Sequence, residues 1–127
     1  MKKRFGFTLL ELLIVIAIIG ILVAIGTASY SNAQKKSRDA RRQGDLKAIQ
    51  NAMEQYYANH GGNYPSSCGT IGGDTSYLPG GIPKDPKTGA SYIFGTCNAS
   101  QYRYCADLEG DGSFSGSEQD FCVNNLQ

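Results

Sequence analysis

From Phe7 to Ile25 the chain is an unbroken apolar run in which only Thr8 and Glu11 carry polar side chains. As an α-helix this run rises roughly 28 Å, close to the ~30 Å hydrocarbon core of a bilayer, so residues of about 7–25 are predicted to span a membrane. Beyond it the rhythm changes. Leu46, Ile49, Met53 and Tyr56 or Tyr57 recur at helical spacing and give one stripe to pack under a domain. Lys35, Lys36, Arg38, Asp39, Arg41, Arg42, Asp45, Lys47 and Glu54 read as solvated charge on the other faces. Gly20, Gly26 and Gly44 are places where a long helix can soften, and Asn59-His60-Gly61-Gly62 reads as its stop. One stalk helix over 7–58 would be roughly 78 Å long.

After Ala58 the period becomes two. Tyr102, Tyr104, Ala106 and Leu108 alternate against Arg103, Cys105 and Asp107, predicting a strand over 101–108, with shorter strands at 91–94 and 121–123. Leu78-Pro79-Gly80-Gly81, Pro83-Lys84-Asp85-Pro86 and Lys87-Thr88-Gly89 punctuate the approach as turns. The fold class is α+β: a long N-terminal helix, transmembrane in its first half and amphipathic in its second, with a small antiparallel β head over 59–127.

Composition narrows what such a head can be. Of 127 residues 41% are hydrophobic, concentrated at the N-terminus, so little apolar material is left for a core. All four cysteines fall after Ala58, which points to two disulfides in an oxidising compartment. Four cysteines allow three connectivities and the sequence does not choose among them. Cys68–Cys97 with Cys105–Cys122 is the preferred set, because the second pair flanks an acidic loop and the first ties the early loop to the sheet. The absence of paired Cys-x-x-Cys spacing argues against zinc. Residues 30–58 carry six basic and three acidic side chains, residues 59–127 three and seven, so neighbouring copies are complementary in sign. The basic run lacks interleaved aromatics, which argues against nucleic acid as a partner. His60 is the single histidine and sits at a helix end. With no nucleophile elbow, phosphate loop or His-Glu-x-x-His, the chain does not read as an enzyme.

Glu11 is the anomaly in the span: an acid within a membrane helix is costly and calls for a partner and a function. A basic leader precedes it, and Gly6 offers an accessible peptide bond. Lys2-Lys3-Arg4-Phe5-Gly6-Phe7-Thr8-Leu9-Leu10-Glu11 resembles the prepilin signal of type IV pilins and type II secretion pseudopilins. A secretory signal with Gly26-Thr27-Ala28 as its cleavage site fits less well, since its apolar core of about 7–15 residues is shorter than this one. The resemblance implies a pilin-like fold, a cytoplasmic leader over 1–6, cleavage between Gly6 and Phe7 by a prepilin peptidase, and N-methylation of Phe7. It also implies pairing of Glu11 with the new amine of a neighbouring subunit, within a helical homopolymer built through the apolar helix. Membrane lipid before assembly, an inner-membrane assembly platform and minor pilins or pseudopilins are the further partners implied. The stored subunit is then a single-pass inner-membrane protein, N-terminus cytoplasmic and head periplasmic or extracellular. The positive-inside rule supports that orientation through Lys2, Lys3 and Arg4, although the five basic side chains from Lys35 to Arg42 pull the other way.

The stretch from Ile82 to Tyr92 is similar to the Pro-x-Asp-Pro loop of major pseudopilins, with Lys87 in place of the usual aromatic residue. A type II secretion pseudopilin is therefore the leading functional expectation, and a type IV pilus subunit for adhesion, motility or DNA uptake is the alternative. Asp107, Glu109, Asp111, Ser113, Ser115 and Glu118 place oxygens at loop positions 1, 3, 5, 7, 9 and 12, with Gly112 at 6, the spacing of a calcium loop. Calcium in the head is also what the resemblance to major pseudopilins implies. The competing reading is an acidic surface turn. The rival class for the whole chain is an uncleaved, membrane-anchored calcium-binding surface module.

Overall fold

The change of hydrophobic rhythm alters the surroundings of the helix without breaking it. α1 runs over Leu9–Asn59, and no glycine within it interrupts the ladder. The computed structural model describes residues 6–110 and 120–127. Contacts divide the chain into two units, Met1–Gln34 and Lys35–Gln127. In the first unit every side chain from Phe7 to Ile25 is exposed, so its aliphatic surface has no cover among the described residues. This segment of α1 is long and apolar enough to cross a membrane.

In the second unit one face of α1 forms the floor of a core. Leu46, Ile49, Ala52 and Met53 are buried against Tyr102, Tyr104, Ala106 and Val123 of the sheet, with Tyr64, Ile71, Leu78 and Tyr92 filling the sides. The helix stops where the glycines are. Gly61 and Gly62 have φ of 65° and 80°, and the Gly62 amide donates to the Tyr57 carbonyl at 3.1 Å, closing the last turn. α1 ends at Asn59, one residue beyond the predicted end. It begins at Leu9 because Thr8 serves as the cap rather than as a helical residue.

The sheet is antiparallel in the order β1-β2-β3, with β1 at Ile93–Asn98, β2 at Gln101–Ala106 and β3 at Phe121–Asn124. Tyr102 and Tyr104 point into the core, as their alternation required, and the strand ends at Ala106, two residues short of Leu108. The first strand lies later than predicted. Ser91 makes only an isolated bridge to Lys84, and the ladder proper starts at Ile93, with an irregularity between Phe94 and Cys97. A single-turn helix α2, Thr70–Gly73, was not predicted: it buries Ile71, and Gly72 packs so tightly that a Cβ there would come within 2.5 Å of Ile82 Cγ1. Disulfides join Cys68 to Cys97 and Cys105 to Cys122, the latter two directly opposed across β2 and β3.

Candidate functional site

The first turn of α1 holds Glu11 without help from another chain. Thr8 donates to Glu11 Oε2 from its amide at 2.8 Å and from Oγ1 at 2.7 Å, while the Glu11 amide donates to Thr8 Oγ1 at 3.2 Å. This is a capping box. Thr8 and the acid three residues later satisfy backbone N–H groups that no helical carbonyl can reach. The Thr-x-x-Glu spacing in the sequence is the signature of this cap. The Glu11 carboxylate is engaged on one side only: Oε1 makes no hydrogen bond among the described residues. Gly6 and Phe7 precede the helix and are exposed, so the bond between them is accessible.

The second cluster lies within the head unit and corrects the solvated reading for Arg38, Asp39 and Arg42, whereas Lys35, Lys36, Arg41 and Lys47 are exposed as expected. Arg42 has no exposed side-chain surface. Its Nη1 donates to Asp39 Oδ1 at 2.6 Å, its Nε to Asp85 Oδ2 at 2.6 Å, and its Nη2 lies 3.0 Å from Glu109 Oε1. Arg38 grips Glu109 with both prongs, at 2.7 and 2.8 Å, and Lys87 Nζ adds a third cation at 3.2 Å. The Glu109 amide donates to Asp39 Oδ1 at 2.9 Å. Three bases thus face three acids, and each buried charge has an opposite partner, which is the condition for burying charge at all.

Asp85 belongs to this cluster, though the sequence marked it only as part of a turn. Its Oδ1 accepts from the amides of Lys87 and Thr88, both at 2.8 Å, so one carboxylate fixes the loop and anchors Arg42. Asp45 and Glu54, the other acids of this part of the helix, are half-buried and also hydrogen-bonded to the head. Asp45 accepts from the Tyr92 hydroxyl at 2.6 Å, and Glu54 accepts from the hydroxyls of Tyr64 and Tyr102 and from the Leu126 amide.

These contacts move the protonation equilibria. Arg38 chiefly, with Lys87 and Arg42, holds Glu109 down at about 2 against the opposing effect of burial. Burial pushes Asp85 up, but the hydrogen bonds from Arg42 and from the Thr88 and Lys87 amides outweigh it and leave Asp85 at about 2. Burial likewise pulls Arg42 down, and its three carboxylate partners more than compensate, so it stays above its usual value. Burial together with the Glu54 carboxylate raises Tyr64 to about 12.

For the predicted calcium loop, Asp107 is buried and Glu109 sits in the ion cluster. Asp111, Ser113, Ser115 and Glu118 lie outside the described residues. Both Glu109 oxygens are held by bases, and a divalent cation there would have to displace Arg38 and Lys87. Glu109 therefore does not fit as a calcium ligand, because its countercharge comes from the helix and from Lys87. Among the described residues no three metal-ligating side chains converge.

Comparison with known proteins follows the same division of the chain. Residues 1–27 match the family described as the prokaryotic N-terminal methylation motif. Over 96 residues the chain is 32% identical to the type IV major pilin protein PilE of Neisseria gonorrhoeae, an alignment covering 75% of this chain and 57% of that protein. It is 48% identical over 54 residues to the type IV major alpha-pilin of Moraxella bovis, covering 42% of this chain and 34% of that one. It is 42% identical over 53 residues to the type IV major pilin protein PilA of Myxococcus xanthus, covering 42% and 24%. The chain thus spans between 24% and 57% of the length of these relatives. No solved structure matches it. With a methylation motif at its start, a long apolar helix carrying a capped Glu11 and an antiparallel head, the chain is similar to type IV major pilins over as much as 75% of its length.

Proposed function

We propose that this chain is the structural subunit of a type IV filament, cut between Gly6 and Phe7, methylated on the new Phe7 amine and polymerised through its apolar helix. The observation that carries the proposal is the pairing of an uncovered apolar segment, Phe7 to Ile25, with a Glu11 carboxylate that is half engaged. Aliphatic surface of this extent is stable only under lipid or under other helices. Transfer from bilayer to filament exchanges one cover for the other, and the acid gives that exchange a register. Thr8 fixes Oε2, which leaves Oε1 to accept from the methylated amine of a neighbouring Phe7. A prepilin peptidase, an inner-membrane assembly platform and minor subunits are the partners this route requires, with Lys2, Lys3 and Arg4 on the cytoplasmic side and the head outside.

The relatives are named as major pilins, which favours a pilus. The Pro83-Lys84-Asp85-Pro86 loop favours a secretion pseudopilus by its resemblance to major pseudopilins, and is the specific ground for that second reading. Mass spectrometry of protein taken from filaments or membranes tests the common core of both. A mature chain that starts at Phe7 with one added methyl is the expected result, and an intact leader would leave an uncleaved anchored module instead. Glu11→Ala should still insert in the membrane but yield few filaments; wild-type yield would remove the amine-pairing role. Deleting the chain separates the two machines, since loss of surface pili with secretion intact identifies the pilus.

A further inference from the structure

The tip of the β1–β2 hairpin carries a feature that filament assembly does not use. Asn98-Ala99-Ser100 is the single Asn-x-Ser/Thr sequence in the chain, and its middle residue is not proline. All three residues are exposed, with Asn98 ending β1 and Gln101 opening β2. The side chain of Asn98 is already ordered. Its Oδ1 accepts from the Ser100 amide at 2.9 Å and from the Gln101 amide at 3.0 Å, and Nδ2 makes no hydrogen bond among the described residues. The hairpin is tied down from beneath by the Tyr64 amide, which donates to the Ala99 carbonyl at 3.0 Å. The carboxamide is thus held through its oxygen at an exposed tip, which leaves its nitrogen as the atom open to modification.

Beside this tip lies an open polar recess of about 230 Å³ lined by Thr96, Gln101, Tyr102, Arg103, Asn124 and Asn125. Gln101 is the ladder partner of Asn98, so the recess begins next to the acceptor. Carboxamides, a hydroxyl and one guanidinium suit the hydroxyl groups of a saccharide better than they suit an apolar ligand.

We propose that Asn98 is an acceptor for N-linked glycosylation outside the cytoplasm, with the first sugars lying toward the Gln101–Asn124 recess. The co-substrate is an oligosaccharide carried on a polyprenyl pyrophosphate. A bond forms between Asn98 Nδ2 and the anomeric carbon, the bond from that carbon to the pyrophosphate oxygen breaks with its electron pair, and the Nδ2 proton passes to a carboxylate of the transferase. The proposal rests on export of the head, as in the filament reading above.

The test uses protein isolated from the membranes or sheared filaments of the cells that naturally make it. The tryptic peptide Thr88–Arg103 should carry sugar masses that fragmentation locates on Asn98. Asn98→Gln and Ser100→Ala should both reduce occupancy from most chains to none, and Ser100→Thr should retain it. Ser100→Ala keeps both hydrogen bonds to Asn98 Oδ1, so its loss of sugar cannot come from a disturbed turn. An unmodified wild-type peptide overturns the proposal, as does a modification that persists in Ser100→Ala. The same spectra report the N-terminus. A methylated Phe7 beside an unmodified Asn98 leaves the filament reading standing and removes this one.

Discussion

The two units of this chain are inside-out with respect to each other. From Phe7 to Ile25 aliphatic side chains are all outside and nothing is buried, whereas between Lys35 and Gln127 an arginine, two aspartates and a glutamate lie inside. Each arrangement is stable only through what surrounds it. The head supplies its own partners for Arg42, so the charges of this cluster are satisfied within one chain. The apolar segment supplies none for its leucines and isoleucines, so it depends on lipid or on copies of itself. Glu11 stands between these cases: half of its carboxylate is satisfied locally by Thr8.

The strongest way to break this comparison is to remove the hub. Arg42→Ala leaves the buried Asp39 and Glu109 and the half-buried Asp85 with one fewer cation, and removing one partner of a buried ion pair costs about 3–5 kcal/mol. Chemical denaturation of the full chain in detergent micelles, followed by tyrosine near-ultraviolet circular dichroism, should show that loss. A change below about 1 kcal/mol would mean that these charges are as dispensable as exposed ones.

Acid should act on the same cluster more gradually. Asp85 and Glu109 are both held at about 2 in the fold, below their ordinary values, so they stabilise the head at any pH above those ordinary values. Head stability should therefore be level from neutral pH to about 5. It should fall by on the order of a few kcal/mol as pH drops from about 4.5 to 2. In Arg42→Ala the decline should be shallower, because the principal cation on Asp85 is gone. An unchanged acid profile in that variant would detach the pH effect from the cluster.

Much of the fold was legible because its signals are local. The switch from an all-apolar run to a stripe and then to alternation located helix, stalk and sheet, and Gly61-Gly62 located the stop. The ion cluster was hidden because charged side chains on a helix are ordinarily exposed. Asp39, Arg42, Leu46, Ile49 and Met53 are spaced by three, four, three and four residues, a single continuous stripe whose first two members happen to be charged. The spacing carried the signal and the residue types concealed it. The acids that complete the cluster, Asp85 and Glu109, are 43 and 71 residues away from their arginine partners in sequence, and no local pattern links them. The same holds for Cys105 and Cys122, which meet because of strand register. The late start of β1 has a local cause: Asp85 closes the turn through Ala90, so Ser91 bridges back to Lys84 before the ladder begins.

A smaller effect probes how the head captures the acids of the helix. Tyr102→Phe removes one of the two hydroxyls on Glu54 while keeping the ring in the core. Glu54 retains Tyr64 and the Leu126 amide, so the loss should be about 1 kcal/mol by the same denaturation assay. A loss as large as that of Arg42→Ala would place Glu54, rather than Arg42, at the centre of the polar interior.

The smallest effect is expected at Thr8, and it bears most directly on the contrast between the units. Thr8→Val keeps the shape and the backbone amide but deletes Oγ1, which donates to Glu11 Oε2 and accepts from the Glu11 amide. Loss of an N-cap side chain costs roughly 0.5–2 kcal/mol, confined to the first turn. Hydrogen exchange in micelles should quicken at the amides of Leu10 and Glu11, while denaturation of the head stays where it was, because no residue of its core is touched. Filament yield adds a second readout. If Thr8 holds Oε2 so that Oε1 faces outward, Thr8→Val should assemble less well than wild type and better than Glu11→Ala, since the Thr8 amide still donates to the carboxylate. Assembly as poor as that of Glu11→Ala would make Thr8 an equal partner in the contact. Assembly at the wild-type level would show that the capping box only starts the helix and leaves the orientation of the acid to the neighbouring subunit.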